Sequence, residues 1–264
     1  MNRITELFKN AKQNNKKVFI PFITAGFPKL ESTVEIISAL EKGGADLIEI
    51  GIPFSDPIAD GPVIQSSSVT ALKNGVTLKW IFKTVQQIRK NVKIPLIFFT
   101  YLNPVMKYGV EKFFKNANKI GIDGILIPDL PPEESDEVKK FAKKNNINTI
   151  FLVTPTTSNK RMRLIEKISD DFVYCVSVTG ITGTREKLFL KTKPYLMKVK
   201  SVLKKPFVVG FGVSTAEDVK KISGFSDGVV VGSAVVKFTE KYKNNNDLAK
   251  RVEKYIRELK KPIK

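Results

Sequence analysis

Short unbroken apolar runs alternate along this chain with longer stretches in which apolar residues recur every three or four positions. The first pattern belongs to strands buried on both faces, the second to helices with one inner stripe. A polar, amphipathic helix is predicted over 2–15. Strand one follows at Val18-Phe-Ile-Pro-Phe-Ile-Thr24 and ends in Ala25-Gly26-Phe27-Pro28. Between Leu30 and Lys42, Val34, Ile37 and Leu40 fall at helical intervals, and Gly43-Gly44 stops that helix. Strand two is 46–50, and a short extra helix is expected over 62–73. The crossover helix 77–89 carries Leu78, Ile81, Phe82, Val85 and Ile88 on its inner stripe. The unit then repeats: strand 95–101 with helix 110–119, strand 123–127 with helix 133–144, strand 148–153 with helix 159–168. Strand 172–176 with helix 186–202, strand 206–210 with helix 215–222, and strand 227–231 follow, and helix 246–260 closes the chain.

Eight continuous apolar strands, each followed by a helix and none polar on one face, predict a closed parallel barrel rather than an open doubly wound sheet. The expected fold is an α/β, single (β/α)8 TIM barrel over 1–264, with an N-terminal helix and extra short helices after strands two and eight. Its 264 residues match the ~250 of such barrels. In these barrels the active site is built at the C-terminal ends of the strands, where Glu49, Tyr101, Tyr174 and Phe211 fall.

Composition narrows the chemistry. With 42% hydrophobic and 27% charged residues the chain reads as an ordered protein. No apolar run approaches the ~18 residues of a membrane span, and the first residues lack a signal-peptide core, so a cytoplasmic location is expected. Histidine is absent and Cys175 is the single cysteine, which excludes disulfide frameworks, Cys/His zinc sites and Ser-His or Cys-His nucleophile pairs. Acid and base work falls to Asp, Glu, Lys or Tyr, and no metal site is expected. The net charge of +19 is carried mostly by lysines spread over helical segments, such as Lys139-Lys140 and Lys220-Lys221. Solvated helix faces account for that spread, and no nucleic-acid-binding fingerprint accompanies it.

Three carboxylates gather after strand two. Glu49 ends the buried strand, where desolvation raises a carboxyl pKa. Asp56 and Asp60 sit in a loop constrained by Pro53, Pro57, Gly61 and Pro62. Glu49 is read as a catalyst or as one half of a buried ion pair. Asp60, expected to be more open to water and to stay ionised, is read as its partner or as a turn aspartate before Gly61. Asp56 reads as a turn or surface residue. Gly210-Phe-Gly-Val-Ser-Thr215 and Gly232-Ser-Ala-Val235 place glycines just before helix starts, a pattern that holds phosphate or simply turns the chain, with Ser214 and Glu217 as a capping box. Thr179-Gly-Ile-Thr-Gly-Thr184 is a third glycine loop, suited to a lid. Phe22, Phe54, Ile64, Tyr101, Leu126, Ile127, Tyr174 and Phe211 are candidates for an apolar pocket facing the phosphate. No lysine stands at a strand's C-terminal end, which speaks against a Schiff base and leaves cleavage by paired carboxylates.

These motifs resemble one family, the α subunit of tryptophan synthase. Glu49-Ile-Gly-Ile-Pro-Phe-Ser-Asp-Pro-Ile-Ala-Asp-Gly-Pro-Val-Ile-Gln65 looks like its signature. Phe22-Ile-Thr-Ala-Gly-Phe-Pro28, Tyr101-Leu-Asn-Pro104, Ile127-Pro-Asp-Leu-Pro-Pro-Glu-Glu-Ser135, Ser177-Val-Thr-Gly-Ile-Thr-Gly183, Gly210-Phe-Gly-Val-Ser214 and Val231-Gly-Ser233 match in order along essentially the whole chain. The resemblance implies retro-aldol cleavage of indole-3-glycerol phosphate to indole and glyceraldehyde 3-phosphate. It implies Glu49 as general acid and base, and Asp60 as the residue that holds the indole nitrogen. Phe22, Tyr101, Leu126, Tyr174 and Phe211 would line the indole pocket, and Thr182 of the closing loop would contact Asp60. Backbone amides of Gly183, Gly212, Gly232 and Ser233 would hold the phosphate. It further implies no cofactor in this chain, and an α2β2 complex with a pyridoxal-phosphate β subunit that Asp56 would face. A free-standing lyase and a catalytically idle partner chain are the alternatives, the second opposed by the presence of both Glu49 and Asp60.

Overall fold

The computed structural model describes residues 1–176, 185–210 and 212–263, with the backbone alone for 185–191. Its strands are β1 (Val18–Thr24), β2 (Ile48–Gly51), β3 (Leu96–Phe99), β4 (Gly124–Leu126), β5 (Asn148–Ile150), β6 (Leu152–Val153), β7 (Val173–Val176), β8 (Phe207–Gly210) and β9 (Gly228–Val231). All pairings are parallel, in the order β5-β4-β3-β2-β1-β9-β8-β7-β6, so the sheet curls into a nearly closed barrel. Nearly every strand position is buried, as unbroken apolar runs require in a sheet covered on both faces.

The predicted fifth strand, 148–153, is split at Phe151. Its first half pairs with β4, Ile150 opposite Leu126, and its second with β7, Leu152 opposite Tyr174. The two ends of the sheet are therefore successive pieces of one stretch of chain, which joins them covalently.

Helices α1 (Arg3–Gln13), α2 (Ser32–Gly43), α3 (Pro62–Lys73) and α4 (Leu78–Ile88) follow the expected pattern closely. After β3 the structure adds α5 (Leu102–Tyr108), a stretch not predicted as helix, before α6 (Val110–Lys119). Pro104 stands at the third position of α5, where an amide has no partner inside the helix, so the ring removes no helical bond. The expected helix 133–144 is a 3-10 turn, Pro132–Glu134, followed by α7 (Asp136–Lys144). Then come α8 (Asn159–Ile168), α9 (Arg185–Val202), α10 (Ala216–Ser223), α11 (Ser233–Lys241) and α12 (Leu248–Lys260). The extra short helices expected after the second and eighth predicted strands are α3, after β2, and α11, after β9.

One end of the barrel is closed by α1. Ile4 is fully buried, and a Cβ on Gly124 would come within 2.7 Å of its Cδ1. Phe8 stacks on Phe172 with ring centroids 4.8 Å apart. The Asn2 side chain donates to the carbonyls of Asp123 and Asn146, and the buried Asp123 carboxylate receives Arg3, Arg89 and the Leu96 amide. This end lies at the N-terminal edges of the strands, so the opposite, C-terminal end carries the cavity. Among the described residues no helix is long and apolar enough to cross a membrane.

Candidate active site

Glu49 sits in β2 with Phe22 of β1 and Ile97 of β3 at its register. Strand alternation sends its side chain inward, while Ile48 and Ile50 face the helices. The carboxyl is 1% exposed, and its Oε1 has no hydrogen-bond partner among the described residues. Desolvation without a compensating donor pushes the group up to about 8. Among the described residues no cation pairs with it, which speaks against the buried ion pair.

Asp60 is brought to the same cavity by the loop between β2 and α3. The loop turns where the Asp60 amide donates to the Pro57 carbonyl at 3.0 Å. Gly61 and Pro62 then start α3, with proline at its tolerated first position. Gln65 reaches back to the Asp60 carbonyl at 2.9 Å. Asp60 is less open to water than expected: burial raises its carboxyl to about 6, against the lowering effect of the Tyr101 hydrogen bond. Both carboxyls are thus raised, Glu49 further. Near neutral pH Glu49 is mostly protonated and Asp60 mostly ionised.

The two carboxyls share a cavity of about 260 Å³ with Phe22, Ile64, Phe99 and Tyr174 on one side. Gly212, Val213, Ser214, Gly232, Ser233, Ala234 and Lys237 form the other. Tyr174 is buried, and its hydroxyl is held well above the usual phenol range by burial and by the nearby Glu49 and Asp60 carboxyls. A Cβ on Gly210, in the neighbouring strand, would lie 2.0 Å from that hydroxyl oxygen, so only glycine leaves room for the ring.

The glycine wall has an asymmetry. Helix α10 is closed by a capping box, with the Thr215 side chain on the Asp218 amide and the Asp218 carboxylate on the amides of Ser214 and Thr215. The expected Ser214 and Glu217 box is thus displaced by one residue, because Thr215 is the residue with extended backbone at the cap. Helix α11 begins at Gly232 with no side-chain cap and no acidic residue in its first turn. Its N-terminal amides face the cavity through Ser233 and Ala234. Gly212 turns the chain at φ 78° beside it.

Four candidate pocket residues, Leu126, Tyr101, Phe54 and Ile127, lie outside this lining, with Ile127 buried just after β4. Leu126 is fully buried at the end of β4 and does not line the cavity. Tyr101 is also outside the lining and instead holds Asp60 and Ala59 from behind. Its ring packs on Phe54 at 5.3 Å. Asp56 is exposed and hydrogen-bonded by the Ser55 hydroxyl, outside the cavity. Thr182, Gly183 and Phe211 lie outside the described residues. Sequence reasoning missed Phe99, Val213, Val230, Ala234 and Lys237. The signal for Lys237 was its spacing of four from Ser233, which puts both on one helix face.

The model of the family "Tryptophan synthase alpha chain" matches residues 8–264. Among curated relatives, the tryptophan synthase alpha chain of Thermoanaerobacter sp. (strain X514) is 45% identical over 260 residues, 98% of this chain and 99% of that one. That of Geotalea uraniireducens is 44% identical over 264 residues, covering 100% and 98%. Among solved structures, tryptophan synthase subunit alpha from Legionella pneumophila superposes with a TM-score of 0.92 at 37% identity, covering 100% of this chain and 98% of that one. A Mycobacterium tuberculosis tryptophan synthase structure gives 0.88 at 30% identity, covering 99% and 98%.

Proposed function

The chain belongs to the tryptophan synthase alpha chain family, lyases of tryptophan biosynthesis, and from that membership we propose that Glu49 and Asp60 cleave indole-3-glycerol phosphate to indole and glyceraldehyde 3-phosphate. The observation that carries this reading is the pair of carboxyls in one cavity, raised to about 8 and about 6. A carboxyl that keeps its proton at neutral pH donates it to the indole ring carbon that bears the glycerol chain. The ring nitrogen then becomes cationic, and the ionised Asp60 carboxylate stabilises it. Glu49, now a carboxylate, takes the proton of the adjacent glycerol hydroxyl. The carbon–carbon bond breaks as the aldehyde forms, and its electron pair returns to the ring as indole.

The uncapped start of α11, with Gly232 and Ser233, is suited to the phosphate. Phe22, Phe99 and Tyr174 offer an apolar slot for the ring. No cofactor enters this scheme. We place the chain in the cytoplasm, in an α2β2 complex whose β subunit carries pyridoxal phosphate. Ile58, 82% exposed beside Asp56, and Met106, 58% exposed at the same end of the barrel, support a partner there.

Indole release by the purified chain tests the assignment. Glu49→Gln or Asp60→Asn should lower it by at least ~10² with the fold intact, and wild-type rates in either variant would overturn it. A second assay with a β subunit separates the complex from a free-standing lyase: strong activation supports the complex, and full activity alone counts against it.

A further inference from the structure

Helix α11 faces two ways. Val235, Val236 and Thr239 are buried against the barrel, whereas Ser233, Ala234 and Lys237 line the cavity at helical spacings of three and four. Lys237 is therefore the one cation on the cavity wall among the described residues. No carboxylate pairs with it among those residues. Glu240, one turn on, is instead bound to Lys243 at 2.7 Å.

Lys237, the fifth residue of α11, stands one turn beyond a helix end that the dipole already makes positive. Helix α10, at the same wall, brings its own anion in Asp218, which its capping amides bind. Helix α11 has none: no side-chain cap and no first-turn acid. Its positive end and Lys237 together make a site for an anion the chain does not contain. In the basic crevice at the opposite end of the barrel, three of the five lining cations have acidic partners. There Lys260 is bound to the Gly44 carbonyl and Asp46, Arg257 to Glu253, and Lys17 lies near Asp227.

We propose that Lys237 contacts the phosphate arm of the substrate and is the residue that makes the site selective for a phosphorylated, dianionic ligand. This rests on the phosphate placement proposed above and adds to it a side chain where backbone amides alone were assigned. An ammonium on the rim acts on binding, because the phosphate takes no part in bond cleavage and carries the same charge before and after it. Its effect belongs in KM rather than kcat.

The test uses the full chain and the variant Lys237→Met, which keeps the apolar stem and removes the charge. With indole-3-glycerol phosphate, KM should rise about fivefold to twentyfold with kcat within about twofold, and Lys237→Arg should restore most of the loss. By calorimetry, the Kd for glycerol 3-phosphate should rise by a similar factor while that for indole stays unchanged. Unchanged glycerol 3-phosphate affinity in Lys237→Met, or an equal loss for indole, overturns the proposal. Should the wild type release no indole, the activity assignment fails, and the calorimetric comparison still decides whether Lys237 holds phosphate.

Discussion

The Tyr101 hydroxyl stands 3.1 Å from Asp60 Oδ2 and 3.1 Å from the Ala59 amide, donating to the first and accepting from the second. Burial and the neighbouring Asp60 charge hold this phenol far above its usual range, so it keeps its proton and remains a donor. Tyr101 thus fixes the loop carrying Asp60 and favours the ionised carboxylate.

Tyr101→Phe removes that donor and leaves the Phe54 packing in place. The hydrogen bond lowers the Asp60 pKa, so its loss should move that pKa above the present value of about 6. The acidic limb of the activity profile should shift upward, with kcat near neutral pH reduced about tenfold. A pH–rate profile of the variant measures this; an unshifted limb would mean that Tyr101 only packs.

The wild-type profile should itself be bell-shaped. Activity needs Asp60 ionised, which gives a rise through about pH 6, and Glu49 protonated, which gives a fall through about pH 8. A profile flat from pH 5 to 9 would count against this division of roles.

Much of this arrangement was legible in the chain and some was not, for separable reasons. The period-two phase of Leu47 to Gly51 sends Glu49 inward whatever the tertiary detail, because both faces of the strand are covered. The contact between Asp60 and Tyr101 spans 41 residues and depends on the path of a proline-rich loop, which no periodicity encodes. The change of partner at Phe151 was hidden because an apolar run records burial and not which strand lies alongside. Lys237 looked like the other lysines on solvated helix faces, since sequence shows the face of α11 but not what that face meets.

Glu49 should cost the fold stability as pH rises. Its folded pKa of about 8 exceeds the ordinary 4.5, so between these values the native state holds a proton that the unfolded chain has lost. The penalty is absent below about pH 4.5, accumulates upward and is complete above about pH 8. Glu49→Gln should therefore be more stable than wild type at pH 8.5 by a few kcal/mol, the gap closing as pH falls towards 4.5. Denaturant midpoints across that range give the answer. A gap independent of pH would show that the carboxyl is not desolvated, and with it the basis for Glu49 as a proton donor at neutral pH would fall.

Gly210 and Tyr174 should behave as one unit. A methyl at Gly210 would lie 2.0 Å from the Tyr174 hydroxyl oxygen and 2.5 Å from Cζ, and the buried ring has no solvent to retreat into. Gly210→Ala should thus either displace Tyr174 into the space between Glu49 and Asp60 or strain β8, costing about 1–3 kcal/mol and at least ~10-fold in indole formation. Tyr174→Ser removes the obstructing ring. On that background the Gly210→Ala penalty should largely vanish, so the double variant should be nearly as stable as Tyr174→Ser alone. Additive losses in the two-variant cycle would mean that the glycine is required by the backbone of β8 and not by the tyrosine beside it.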